Sequence, residues 1–275
     1  MYGAILGDMI GCPFEFDEET KSKEFPLFDD KWSRYTDDTV MTVAVAEALM
    51  NAGDYADVQT MEKLCRESMQ KWGLKYYNVG YGDRFCDWLR QGENARPYNS
   101  WGNGSAMRVS PAGWLYDSLD RTREAARATA NVSHNHPEGI KGAEATASAV
   151  YLARTGKSKA DIKRYIETEF GYDLDRTIDE IRPDFLMFED CQRTVPEAVI
   201  GFLEGADFED TVRNVVSLGG DTDTTGAIAG SIAEAFFGIP ESLIEECNKR
   251  LEPDMIEVIS RFYSIVGEQK ASPAE

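Results

Sequence analysis

Nitrogen and sulfur metal ligands are scarce in this sequence, which has 2 histidines and 5 cysteines in 275 residues. The cysteines (Cys12, Cys65, Cys86, Cys191 and Cys247) are scattered, odd in number and without CxxC spacing. That argues against a disulfide framework or a zinc site and leaves free thiols in a reducing compartment. Positive charge is short as well, with 29 basic residues against 49 acidic ones and a net charge of −20. A chain so charged offers no basic face to a phosphate backbone, so nucleic-acid binding is not expected. The opening stretch MYGAILGDMIG has no basic leader and is broken by Asp8. No run approaches the ~20 apolar residues that a membrane span requires. A cytoplasmic protein with no membrane partner is expected. Alternation of period two is missing too, since no six-residue stretch shows it convincingly, which argues against a sheet.

What the chain does have is apolar content for a sizeable core, at 42% hydrophobic residues, and helical periodicity almost throughout. The stretch Thr39 to Gly53 is apolar nearly all round and closes on a C-cap glycine, so it reads as a buried helix. In DVQTMEKLCRESMQKWGLK, Val58, Met61, Leu64, Cys65, Met69 and Trp72 fall close to an i, i+3, i+4 pattern, which predicts an amphipathic surface helix. DRTREAARATANVS, EGIKGAEATASAVYLART, KADIKRYIETEF, VPEAVIGFLEGA, TGAIAGSIAEAFFG and DMIEVISRFYSIVG also read as helices. The Gly, Ala and Ser content of TGAIAGSIAEAFFG allows a second helix to approach closely. Gly- and Asn-rich loops interrupt the helices at 80–83, 97–105 and 133–139, and the charged segment 171–194 reads as a long surface excursion. No repeat or linker divides the chain, so one all-α domain over residues 1–275 is expected.

The chemistry concentrates at two helix starts. SLGGDTDTTG sets Asp221 and Asp223 two apart, with Thr222, Thr224 and Thr225 among them, between runs that read as buried. YTDDTVMTV does the same with Thr36, Asp37, Asp38 and Thr39. An N-cap accounts for one carboxylate at a helix start but not for two. Bringing both starts together gathers four carboxylates that cannot all stay ionised without a cation. An all-oxygen set points to Mg²⁺ or Mn²⁺. Two separately capped helices remain the alternative. Asp8 and Glu15 are seven apart, two turns on one face if a helix ran through Pro13, which proline opposes. Asp8 alone reads as a satisfied structural polar residue, while Glu15 could reach a cleft. The loop PYNSWGNGSAMRV is rich in hydrogen-bond donors before a helix, which can suit phosphate, although such loops are common. In SHNHPEG, a histidine hydrogen bond to a ligand is more plausible than metal binding.

Taken in order, GAILGDMIGCPFE, YTDDT, GYGDRF, GNGSAMRVSPAG, SHNHPEGIKGA and SLGGDTDTTGAIAGSIAEAFFG resemble the ADP-ribosylglycohydrolase family over most of the chain. The resemblance implies an all-α fold with a dinuclear metal cleft holding two Mg²⁺ or Mn²⁺ ions, ADP-ribosylated protein as substrate and ADP-ribose as product. It implies Thr36, Asp37, Asp38, Asp221, Asp223 and Thr224 as metal ligands, with Glu15 as a mobile glutamate that touches one metal. Asn99, Ser100, Trp101, Gly102 and Asn103 would border the diphosphate and proximal ribose. His134, not His136, would contact ADP-ribose, and Gly80, Tyr81 and Gly82 would flank the site. The implied reaction is attack of a metal-held water at C1″ of the distal ribose, with Glu15, Asp37, Asp38 and Asp223 as the catalytic carboxylates. Arginine-linked ADP-ribose is the first expectation and serine-linked the second. One departure from the family pattern stands at Asn78, where some members carry an aspartate assigned a part in the chemistry. A non-catalytic ADP-ribose binder of the same fold is the competing reading.

Overall fold

Two helices rich in small residues cross at the centre of the molecule, and the rest is wrapped around them. The computed structural model describes residues 1–16 and 21–271, so positions 17–20 and 272–275 of the expected 1–275 domain lie outside the described residues. Helix α1 (Tyr2–Gly11) is apolar on nearly every side and is buried from Gly3 to Gly11. It gives way at Pro13 to a 3₁₀ turn, Cys12–Phe14, after which Glu15 is extended at φ −57° and ψ 134°. Asp8 and Glu15 therefore do not share a helical face, because proline ends the helix between them.

Helix α2 (Asp37–Ala52) starts at an N-cap, Thr36, whose side chain accepts from the Asp38 N–H, and stops at Gly53, where φ is 75°. Helix α3 (Val58–Lys75) is capped by Asp57 and lays Met61, Cys65, Met69 and Trp72 inward, as the periodicity predicts. Helices α4 (Asp83–Arg90), α5 (Gly104–Met107) and α6 (Ser110–Leu115) are short. Helices α7 (Leu119–Asn131) and α8 (Pro137–Arg154) follow, α8 being buried along most of its length from Gly139 to Ala153. Next come α9 (Lys159–Phe170), α10 (Ile178–Ile181), α11 (Cys191–Glu204) and α12 (Phe208–Val216), then α13 (Thr222–Phe237), α14 (Glu241–Asn248) and α15 (Pro253–Ala271). No strand occurs among the described residues; one isolated bridge joins Gly102 to Asp190. The fold is all-α and forms a single domain, and all five cysteines are free thiols.

Helix α13 is the hub, packing on α1, α8, α11 and α12. Its contact with α1 is a backbone-to-backbone crossing. A β-carbon on Gly7 would stand 1.9 Å from the Gly226 carbonyl oxygen, and one on Gly230 would stand 2.2 Å from that of Gly3. Lower down, a β-carbon on Gly11 would meet the Thr222 carbonyl oxygen at 2.2 Å. Only glycine permits this approach. It delivers the start of α13, with its two aspartates, to the end of α1.

Segment 171–194 is not a surface excursion. Tyr172, Leu174, Ile178, Ile181 and Phe185 are buried in the core, with the charged residues between them facing out. The segment continues over the functional face, where the Glu189 carbonyl accepts from the Asn103 N–H at 2.9 Å and the Trp101 carbonyl accepts from the Cys191 N–H at 3.0 Å.

Candidate active site

Helices α2 and α13 begin within hydrogen-bond reach of each other, because α1 packs along α13 while its Asp8 holds the residue that leads into α2. The Asp8 carboxylate on α1 accepts from the Thr36 N–H at 2.9 Å, the Thr36 hydroxyl at 2.8 Å and the Thr39 N–H at 3.0 Å, and also from the Thr39 hydroxyl. Asp8 is thus a satisfied structural group that anchors the first turn of α2. Across the gap, the Thr224 hydroxyl donates to Asp38 Oδ2 at 3.3 Å. Asp221 Oδ2 accepts from the Asn103 amide at 2.6 Å, which ties α13 to the loop of residues 97–105.

The result is a cleft of about 340 Å³ lined by Glu15, Asp37, Asp38, Asp221 and Asp223. One carboxylate oxygen from each of Glu15, Asp221 and Asp223 lies within 4.8 Å of the others, an arrangement that could hold a metal ion. Asp38 Oδ1 is buried with no hydrogen-bond partner. Elsewhere, buried acids are paired with cations: Glu144 with Arg127 at 2.7 Å, Glu197 with Arg176 at 2.6 Å, and Asp190 with Arg193. Among the described residues no ion pair reaches Glu15, Asp37, Asp38, Asp221 or Asp223. Unpaired buried carboxylates cost several kcal/mol each unless a cation meets them. The orphaned Asp38 oxygen and the all-oxygen donor set fit a hard divalent cation.

The electrostatics agree. Burial first, then the charge of Asp223, raises the Asp8 carboxyl to about 7 and the Glu15 carboxyl to about 8. The same causes, in the same order, hold Asp37, Asp38 and Asp221 well above the usual carboxylate range. A carboxyl raised in the folded state binds its proton more tightly there than in the unfolded chain, where values are near 4. Its stability contribution is complete below that unfolded value and is lost as pH rises through the folded one. The metal-free protein is therefore expected to melt at progressively lower temperature from about pH 5 to about pH 8. Mn²⁺ or Mg²⁺ requires the ionised form, so its stabilising effect should grow over the same window. Scanning calorimetry across that range, with chelator and with Mn²⁺, checks this. A flat or rising chelator curve, or a Mn²⁺ shift independent of pH, contradicts it.

Other residues singled out from the sequence divide into those that face the cleft and those that stand behind it. Thr224, Gly80, Gly82, Ser100, Gly102, Asn103 and His134 line it. Thr36 lies below, its hydroxyl donated to Asp8 and accepting from the Asp38 N–H at 3.3 Å. Tyr81 is buried against Phe85, with ring centroids 5.4 Å apart. Asn99 is held at φ 54°, its N–H donated to the Asn135 side chain. Trp101 is 48% exposed, its ring edge-on to His136 at 5.4 Å. His136 itself caps α8, accepting from the Glu138 N–H. In the loop, the N–H groups of Gly102 and Asn103 are already taken by Ser100 Oγ and the Glu189 carbonyl. Sequence reasoning missed Phe16, Phe85, Met187 and Glu189, which line the cleft together with Arg108. Phe16 is exposed at φ 67°, a left-handed backbone that a bulky residue adopts only under constraint.

Fold and site together define the class: an all-helical domain with a carboxylate-lined cleft where two helix starts meet. The profile of the ADP-ribosylglycohydrolase family matches residues 1–272, and the chain belongs to that family. It is 27% identical to ADP-ribosylhydrolase ARH3 of Mus musculus, over 92% of this chain and 88% of that protein. It is 24% identical to ADP-ribosylarginine hydrolase Tri1 of Pseudomonas putida (strain GB-1), over 87% of this chain and 70% of that protein. Among solved structures, an ADP-ribosylglycohydrolase-related protein complex superposes with a TM-score of 0.70 at 23% identity, covering 96% of this chain and 95% of that one, a likeness of fold. No helix among the described residues is long and apolar enough to cross a membrane.

Proposed function

We propose that this protein removes ADP-ribose from modified protein side chains, arginine-linked ADP-ribose first, in a cleft that holds two Mg²⁺ or Mn²⁺ ions. The observation that carries the reading is the set of five unpaired carboxylates, one with an orphaned buried oxygen, facing a single cleft in a member of this family. Thr36, Asp37, Asp38, Asp221, Asp223 and Thr224 would hold the ions, with Glu15 joining from the cleft mouth. When bound, divalent cations supply positive charge that orients ribose hydroxyls and lowers the pKa of water.

The protein's own groups do the rest. Burial, then the charge of Asp223, raises the Glu15 carboxyl to about 8 in the metal-free protein; protonated, it can hand a proton to a departing group, and once ionised beside a bound cation it can take one from water. Asn78 is exposed and not part of the cleft lining, so the base is drawn from Glu15 and the aspartates. The Asn103 amide fixes the Asp221 carboxylate. The Ser100 hydroxyl and His134 line the same cleft as the acids and would meet the diphosphate and proximal ribose. Cleavage at C1″ passes through oxocarbenium character, which nearby carboxylates stabilise. Glu15 and Glu189 together make the cleft mouth acidic, which suits a guanidinium leaving group, and the arginine hydrolase named among the relatives supports that order of preference.

The test is incubation with arginine- and serine-ADP-ribosylated peptides, with and without Mg²⁺, reading free ADP-ribose by mass. Release from the arginine peptide that requires Mg²⁺ is expected. Binding of ADP-ribose with no release from either peptide would make the protein a non-catalytic binder instead.

A further inference from the structure

Behind His134 lies a buried chain of polar groups with one direction. Arg108 is 1% exposed, carries no carboxylate partner among the described residues, and donates from Nη2 to the Thr129 carbonyl at 2.9 Å and to Ser133 Oγ at 2.8 Å. Ser133 is fully buried, and its Oγ stands 2.8 Å from His134 Nδ1. A guanidinium has no acceptor, so Ser133 Oγ must be the acceptor in the Arg108 bond. The single Ser133 proton then needs a partner, since a buried hydroxyl left undonated costs on the order of 1–3 kcal/mol. Among the described residues the acceptor in reach is His134 Nδ1. That nitrogen is consequently bare, and the ring proton is on Nε2.

The other end of the ring is equally constrained. Nε2 lies 3.1 Å from where a β-carbon on Gly104 would stand and 3.5 Å from one on Gly102, so the two glycines clear the space it occupies. His134 lines the cleft, and no group among the described residues bonds to its Nε2. We infer that Arg108 and Ser133 act as positioning residues that fix His134 as the neutral Nε2–H tautomer, presenting one oriented hydrogen-bond donor to the ligand. The inference rests on the proposed binding of ADP-ribose for the identity of that ligand, although the tautomer itself does not. An acceptor of the ADP-ribose moiety, a phosphate or ribose oxygen, is the chemistry such a donor recognises. Burial and the nearby Arg108 charge also oppose protonation of the ring, holding its pKa well below the usual histidine value. The donor is thus neutral, and it does not offer itself as an alternative ligand to the cleft's cations through Nδ1.

The chain has two histidines, which makes the tautomer directly readable. His136→Asn keeps a good N-cap residue on α8 and leaves His134 as the sole imidazole. Long-range ¹H–¹⁵N correlation of this variant, labelled with ¹⁵N-histidine, should show a bare Nδ1 and a protonated Nε2 without ligand. Adding Ser133→Ala should turn that pattern into an exchanging mixture and raise the ADP-ribose dissociation constant about 3–10-fold, the scale of one neutral hydrogen bond. A protonated Nδ1 in the His136→Asn protein overturns the inference, as does an unchanged tautomer after Ser133→Ala. If Ser133→Ala fails to fold, the spectrum of the His136→Asn protein alone decides. A bare Nδ1 in a protein that does not bind ADP-ribose would leave the tautomer lock standing and remove the ligand assignment.

Discussion

Asp223→Asn is expected to lower turnover of ADP-ribosylated protein by on the order of 10³-fold or more, the equivalent of several kcal/mol of lost charge stabilisation. The substitution is nearly isosteric. Its side-chain oxygen can still accept from the Thr224 N–H, a bond of 2.9 Å in the present structure. What disappears is one negative charge at the electrostatic centre of the cleft. Asp223 is the leading charged contributor to the raised carboxyls of Glu15, Asp37, Asp38 and Asp221, and its oxygen is one of the three that converge within 4.8 Å. Removing that charge weakens the hold on cations. In the metal-free protein, by the same token, it relieves repulsion among the remaining acids. Two readouts should therefore move in opposite directions: catalytic rate at saturating Mg²⁺ falls, while the melting temperature in chelator stays level or rises. Near-parental rates at saturating Mg²⁺ would refute the role. A large drop in melting temperature in chelator would say instead that Asp223 is a structural cap.

The division between what the sequence disclosed and what it hid has physical causes. Helices α2, α3, α8 and α13 were legible because each keeps one apolar period over many residues, and the carboxylate pairs stood out because nothing in a buried helix start calls for two acids. Segment 171–194 was misread because its charges mask a sparse apolar set. Ile178, Ile181 and Phe185 keep helical spacing, and Thr177 and Glu180 form a capping box, signals short enough to be lost among the segment's seven aspartates and glutamates. Met187 and Glu189 reach the cleft through this segment, so part of the site was hidden with it. The Arg108–Ser133–His134 chain was invisible for another reason. Its members come from two places in the sequence, and only packing of α7 beside the residues after α5 brings them together.

Gly7→Ala is expected to be among the most damaging single-methyl additions in the molecule. The new β-carbon would lie 1.9 Å from the Gly226 carbonyl oxygen, 2.2 Å from its carbon and 2.7 Å from the Ala227 nitrogen. All three are backbone atoms, so no side-chain rotation relieves the overlap, and α1 and α13 must separate. Overpacking of side chains typically costs about 1–3 kcal/mol, and a backbone clash belongs at or above the top of that range. For a chain of this size the melting temperature should fall by on the order of 5–10 °C. The displacement also acts on function. Gly226 is one helical turn beyond Thr222 and Asp223, so parting the helices moves the Asp221 and Asp223 oxygens away from Asp38, and the rise in melting temperature produced by Mn²⁺ should shrink. Gly267→Ala is the matched control: it lies in α15 with nothing within 4 Å of its would-be β-carbon, and alanine there should be neutral or slightly stabilising. Thermal melting of both variants with and without Mn²⁺ reads the two effects together. If Gly7→Ala melts within a degree or two of the parent and keeps the full Mn²⁺ response, the crossing does not set the geometry of the cleft.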